Sequence, residues 1–252
     1  MYKSLQFLLI FLLAFSIVSC SKQTYTADID TSYYRITKRN QSDQNIDKMI
    51  TPYRAQLELK MNEVLAFNEK EMTKARPNSS LGNWFADALL EEAKYIYKKD
   101  IDVAMQNYGG IRVPFLKQGD ITVGNIYELM PFDNKLVILT MDGKLLQQLL
   151  DRVAEKGGWP ISSTLQFSIK EDKAVNAIVN NEPLDLTKSY TVAIADYIAN
   201  GGDDCFFLDQ AEREDHDVMI RDLIIDHLKR KPDGEKNLKA DESQRILNSN
   251  DY

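Results

Sequence analysis

Apolar residues recur along this chain with two periods, near 3.6 in some stretches and near 2 in others, and the alternation between them predicts a mixed fold. Between Asn45 and Phe67, the residues Ile46, Met49, Ile50, Leu57, Met61, Val64 and Leu65 fall close to helical spacing and are interrupted by Pro52. That pattern predicts one kinked helix or a helix entered at Thr51-Pro52. Ser79 or Ser80 is suited to cap the next helix, whose Leu81, Trp84, Phe85, Ala88, Leu89 and Ile96 stand at i, i+3, i+4, i+7, i+8 and i+15. Such a stripe faces a core, and packing accounts for its aromatic members. Strand signals follow over residues 101–107 and 135–141, the latter running into Asp142-Gly143. A helix is expected over 144–154 on Leu145, Leu146, Leu149, Leu150 and Val153. Further strands are expected over 164–169, 174–179 and 190–195, with Asn180-Asn181-Glu182-Pro183 as a turn before Leu184. Residues 212–231 carry Val218, Leu223, Ile224, Ile225 and Leu228 among charges and predict an amphipathic helix with a solvated face. Beyond Pro232 the chain is polar and expected to be poorly ordered, apart from a short strand over 245–247. Strands and helices mix without a strict βαβ rhythm, which predicts the α+β class.

The first residues read as a processing signal. Lys3 opens it, Leu8 to Val18 is apolar but short for a bilayer span, and Ile17-Val18-Ser19-Cys20 closes it. This ending resembles a bacterial lipobox, which implies a lipoprotein signal peptide over residues 1–20 and a lipidated Cys20. Several acyl chains on one cysteine give stable anchoring, so an exported, membrane-anchored and periplasm-facing protein is expected. Residues 21–42 are polar and suit a tether leading into a first strand over 33–36; residues 43–74 suit a linker or capping helix.

At 252 residues, 44% hydrophobic and 27% charged, the chain can bury a sizeable core. A formal charge of −7 argues against nucleic acid as the main partner but leaves room for a local basic pocket for one phosphate. With Cys20 acylated, Cys205 has no disulfide partner and is expected to be a packed small residue.

Two glycine turns carry the chemistry. Asn107-Tyr-Gly-Gly-Ile-Arg112 and Tyr197-Ile-Ala-Asn-Gly-Gly-Asp203 combine backbone freedom at Gly109, Gly110, Gly201 and Gly202 with an amide, a guanidinium, a ring and a carboxylate. A nucleoside or nucleotide would use all of these groups.

Together with Leu81-Gly82-Asn83 and Pro131-Phe-Asp-Asn134, these turns stand in the order and spacing seen in the C-terminal domain of the 5′-nucleotidases, and the chain resembles that family over about residues 33–208. The resemblance implies layered mixed sheets with outer helices (α/β/β/α), a C-terminal-type domain over about 75–210, and a C-terminal helix and polar tail over 211–252. It also implies that Phe132 and Tyr197 sandwich a base. Asp203 would accept from ribose hydroxyls, Arg112 would meet ribose or phosphate, Asn107 would orient ligand polar atoms, and Asn134 would assist beside the Phe132 loop. Stacking of this kind is worth about 1–3 kcal/mol per base and tolerates any base. The chain departs from the family at Tyr108, where many members have glycine, so the backbone turns differently or the ring lines the pocket. A second departure is Tyr197, where many have phenylalanine. A further family arginine falls at Ala75 by ungapped spacing, with Arg76 adjacent.

The largest departure is a missing set. In two-domain members a metallophosphoesterase domain holds two metal ions, yet this chain has neither Asp-x-His nor Gly-Asn-His-Glu motifs. Its histidines, His216 and His227, are read as surface residues eleven apart on the C-terminal helix. No phosphate loop, nucleophile elbow or calcium-binding spacing is present. The reading is therefore a nucleoside- or nucleotide-binding subunit with no catalytic or metal site of its own. The partner would be a separate metallophosphoesterase chain carrying divalent metals. The alternative is a stand-alone nucleoside-binding lipoprotein used in scavenging or sensing.

Overall fold

The computed structural model describes residues 32–33 and 43–248. The lipobox with Cys20, the tether over 21–42 and the strand over 33–36 lie outside the described residues, Ser32 and Tyr33 apart. The chain divides into two units, residues 1–49 and 50–252. The described end of the first unit opens helix α1 (Gln44–Met61), where the Asp43 carboxylate accepts from the backbone N–H groups of Asn45 and Ile46 at 2.8 and 3.3 Å.

Helix α1 is not entered at Thr51-Pro52, because Pro52 lies inside it. Proline has no N–H to give to the carbonyl four residues back, so the helix crosses it one bond short. It ends at Met61. Val64 and Leu65, which the helical spacing had included, belong to strand β1 (Val64–Asn68). Two distant partners decide this, since β1 pairs antiparallel with one strand near residue 120 and parallel with another near residue 237.

The remaining elements of the second unit follow in order: β2 (Met72–Thr73), α2 (Ser80–Tyr97), β3 (Val103–Ala104), β4 (Phe115–Leu116), β5 (Gly119–Thr122), α3 (Val123–Leu129), β6 (Lys135–Asp142) and α4 (Gly143–Glu155). After them come β7 (Leu165–Lys170), β8 (Lys173–Val179), β9 (Glu182–Pro183), β10 (Ser189–Ala195), α5 (Asp196–Ala199), β11 (Glu212–Met219), α6 (Ile220–Arg230), β12 (Asn237–Leu238) and β13 (Ile246–Asn248). The class is α+β, with sheets ordered β12-β1-β5, β11-β6-β10-β3 and β13-β7-β8-β9, and the pair β2-β4.

Period-two alternation makes β6 and β10 the partition between two cores. Leu136, Ile138, Ala193 and Ala195 belong to one buried cluster with α2 and α6. Val137, Leu139, Met141, Val192 and Ile194 belong to the other, with α4, β7 and β8. Both faces of this sheet are therefore covered, which explains the near-continuous apolar run in each strand. Ser79 caps α2, accepting from the Gly82 N–H at 3.1 Å, and Asp142 caps α4, accepting from the Leu145 N–H at 2.9 Å.

Three other expectations are corrected. The strand expected over 101–107 is only Val103–Ala104, because Met105 bridges to Ile161 and the Gln106 N–H turns to the Pro160 carbonyl. The helix expected over 212–231 begins at Ile220, and Glu212–Met219 instead pairs along the edge of β6. Its charged residues suit an edge strand, where they discourage pairing with another chain. The tail beyond Pro232 returns to the fold: Leu238, Arg245 and Ile246 are buried. Arg245 donates to the Ile161 carbonyl at 2.6 Å and pairs with Asp87 and Asp241, both at 2.5 Å.

Candidate functional site

Strand directions bring the distant motifs together. Because β6 and β10 are antiparallel and Ala195 pairs with Leu136, the start of β6 and the end of β10 share one end of the sheet. The β3 strand runs parallel to β10 and ends there too. Residues just before β6 (Phe132, Asn134), just after β10 (Tyr197) and just after β3 (Asn107) thus leave the same edge. The chain then doubles back through Gly201, at φ +93°, and Asp203 lies in the left-handed region at φ 51°. Aspartate tolerates that region better than most residues. Gly202 is required for a different reason: a Cβ there would lie 2.5 Å from the Tyr197 carbonyl oxygen and 2.6 Å from its ring.

Asn107, Arg112, Phe132, Asn134, Tyr197 and Asp203, the residues singled out from the sequence, all line one cavity of about 320 Å³, together with Gly109 and Gly110. This is the lower end of the range for small-molecule pockets. Phe132 and Tyr197 are 37% and 44% exposed, so ring surface is available to a ligand. The polar groups are already connected. Asn107 Nδ2 donates to Asp203 Oδ2 at 3.0 Å, and the Tyr197 hydroxyl donates to Asp203 Oδ1 at 3.3 Å. The hydroxyl that distinguishes Tyr197 from phenylalanine thus touches the carboxylate. The Arg112 guanidinium stands 5.4 Å from the Phe132 ring centroid.

Residues that the sequence reading passed over support this arrangement. Buried Arg221, from α6, donates to the Phe132 carbonyl at 3.3 Å and pairs with Asp133 at 3.0 Å, which pins the loop carrying the ring. The Ile220 N–H donates to the Asn134 carbonyl at 2.9 Å. Gln106 donates from Nε2 to Asn107 Oδ1 at 2.8 Å. No sequence signal marked Arg221, whose partners lie far away in the chain, or Gln106, whose role depends on the amide orientation of its neighbour Asn107.

The departure at position 108 has a local outcome. Residues Tyr108–Gly110 form a 3₁₀ turn, and the Tyr108 ring centroid lies 3.9 Å from both Lys74 Nζ and the Arg76 guanidinium carbon. Lys74 also donates to the Ile111 carbonyl at 2.5 Å. Its pKa is lowered, first by burial and then by the charges of Arg112 and Arg76. Three cations therefore share one neighbourhood beside the cavity, and among the described residues none of them forms an ion pair with a carboxylate. Arg76, the candidate next to Ala75, belongs to this group.

The histidines do not sit together on a helical surface. His216 is in β11, edge-on to the Tyr97 ring at 4.2 Å, whereas His227 is buried and its Nδ1 is 2.9 Å from Glu92 Oε1. Cys205 is buried, and burial pushes its thiol up to about 12. A thiol held in that state packs and does not attack. Among the described residues no group of three or more His, Cys, Asp or Glu is placed to hold a metal ion. The donor set here does not fit the two-metal centre that the resemblance implies for a catalytic domain.

Comparisons with known proteins identify the family and the fold. The profile described as "5′-nucleotidase, C-terminal domain" matches residues 60–210. Protein UshA of Salmonella pullorum is 30% identical over 164 residues, covering 62% of this chain and 28% of that protein. A 5′-nucleotidase of Vibrio parahaemolyticus is 31% identical over 129 residues, covering 50% of this chain and 22% of that one. The crystal structure of a 5′-nucleotidase precursor from Thermus thermophilus superposes with a TM-score of 0.70 at 28% identity, over 80% of this chain and 42% of its own. The chain thus spans less than half the length of these relatives.

Proposed function

Since this chain belongs to the 5′-nucleotidase C-terminal domain family, we propose that it is the nucleotide-binding subunit of a split 5′-nucleotidase, clamping base and ribose for hydrolysis by a separate metallophosphoesterase chain. The observation that carries this reading is the convergence of Asn107, Arg112, Phe132, Asn134, Tyr197 and Asp203 on one cavity from loops distant in sequence. Phe132 and Tyr197 hold the base between their rings, and Asp203 accepts from the ribose hydroxyls. Asn107 orients that carboxylate. The cations Lys74, Arg76 and Arg112 favour a nucleoside 5′-monophosphate over a nucleoside, because unpaired charges beside a cavity suit an anion.

Divalent metals belong to the partner in this proposal. The role of this chain is to position the substrate, an effect that can lower a reaction barrier by several kcal/mol, about 7–11 kcal/mol at most. The lipobox-like Ile17-Val18-Ser19-Cys20 supports a lipid at Cys20 and a periplasm-facing membrane anchor.

Titration calorimetry with AMP and adenosine tests the clamp. Wild type is expected to bind AMP more tightly than adenosine, and Phe132→Ala and Asp203→Ala to weaken both. Failure of wild type to bind either ligand at millimolar concentration would refute the clamp in the isolated chain. The split is tested by phosphatase assays of the pure chain with added divalent metals. Turnover there would place catalysis in this chain and sink the proposal, whereas activity only on mixing with an exported metallophosphoesterase would support it.

A further inference from the structure

The buried amide of Gln106 has no part in the clamp just described, yet its orientation follows from it. Asp203 is a carboxylate and can only accept, so Asn107 has to offer it Nδ2, at 3.0 Å. Asn107 Oδ1 then points the other way and needs a donor, which Gln106 Nε2 supplies at 2.8 Å. That choice leaves Gln106 Oε1 without a hydrogen-bond partner among the described residues, although Gln106 is fully buried. A buried orphan acceptor is costly, and hydrogen-bond networks that leave one are kept where something else depends on them.

Gly110 supports the same conclusion from a separate observation. A Cβ there would lie 1.9 Å from Gln106 Nε2 and 2.9 Å from Asn107 Oδ1. Glycine is needed at 110 because the amide pair occupies the space a side chain would take.

We infer that Gln106 is a positioning residue: it locks the Asn107 amide so that the Asp203 carboxylate presents a fixed pair of acceptor positions to the ligand. An ionised carboxylate offers about four lone-pair sites. Asn107 takes one on Oδ2 and the Tyr197 hydroxyl takes one on Oδ1. Two remain, the number that a vicinal ribose diol requires. The inference thus deepens the proposed nucleotide clamp, and rests on it, by making the discrimination between ribo- and dideoxyribonucleotides depend on a residue that touches neither.

The test has one arm without ligand and one with it, both on the full chain. In ¹⁵N-labelled wild type, the side-chain N–H pair of Asn107, assigned through Asn107→Asp, is expected to be well separated in shift and slow to exchange. Gln106→Leu and Gly110→Ala should each shift that pair and speed its exchange while the backbone spectrum stays that of a folded protein. An Asn107 amide unmoved by Gln106→Leu overturns the inference, whatever the ligand result. In the second arm, the ratio of Kd for 2′,3′-dideoxyadenosine 5′-monophosphate to Kd for AMP should fall about tenfold in both variants, the loss of one charge-assisted hydrogen bond. A merely structural role would lower the melting temperature and leave the ratio unchanged, which would also overturn it. If wild type binds neither nucleotide, the clamp itself fails, and the amide arm alone decides whether Gln106 positions Asn107.

Discussion

Tyr197 separates two contributions that the proposed clamp combines. Its ring is 44% exposed at the cavity, and its hydroxyl donates to Asp203 Oδ1 at 3.3 Å. Tyr197→Phe keeps the ring and deletes the hydroxyl. A bond of that length at a half-exposed site is worth about 0.5–1 kcal/mol, so nucleotide affinity should fall by no more than about fivefold. Tyr197→Ala removes the ring as well, and losing one stacked face costs about 1–3 kcal/mol, or roughly 5- to 150-fold in Kd. Titration calorimetry with AMP on the folded variants measures both, and the alanine variant should be the weaker by several-fold. If Tyr197→Phe loses as much as Tyr197→Ala, the hydroxyl and not the ring carries binding, and the stacking argument is wrong. Equal affinity in all three proteins would remove Tyr197 from the site altogether.

Arg245→Ala should destabilise the fold by about 2–4 kcal/mol in urea unfolding, since it strands the Ile161 carbonyl and unpairs two carboxylates that are themselves partly solvated. Stability should also fall in acid through Glu92. Burial pushes its carboxyl up, but hydrogen bonds from His227 and Arg230 outweigh burial and leave the pKa lowered. A depressed carboxyl contributes stability that is fully present above the unfolded value of about 4.3 and is lost as pH falls through the lower folded value. Glu92→Gln should therefore flatten the acid limb of a pH series of urea midpoints, and an unchanged limb would exclude Glu92 as its source. Cys205, buried and raised to about 12, should resist iodoacetamide in the native protein at pH 8 and react on denaturation. Rapid native labelling would show that the thiol is accessible.

The sequence determined the elements whose fate is decided locally. Helix α2 with its Ser79 cap, helix α4 and the strands β6 and β10 lie close to where periodicity and, for α2, the capping serine put them. Short-range hydrogen bonds and an apolar face suffice to specify such segments. The glycine turns with Asn107, Arg112, Tyr197 and Asp203 were legible as local motifs, whereas Phe132 and Asn134 entered only through the family resemblance. Local pattern failed where a distant strand competed for the backbone. Val64–Asn68 continues a helical spacing yet pairs with β5 and β12, and Glu212–Met219 reads as helix yet completes the edge of β6. The tertiary structure alone decided that three loops meet at one end of one sheet, because strand direction and register are properties of pairs and not of segments. It alone decided the supporting residues as well. Arg221 gains its role from the Phe132 loop, which the fold brings within hydrogen-bond reach, and Gln106 gains its role once Asp203 is brought against Asn107 and so fixes which way the neighbouring amide faces. A one-dimensional pattern names which groups are present, and only packing fixes which of their donors and acceptors are already taken.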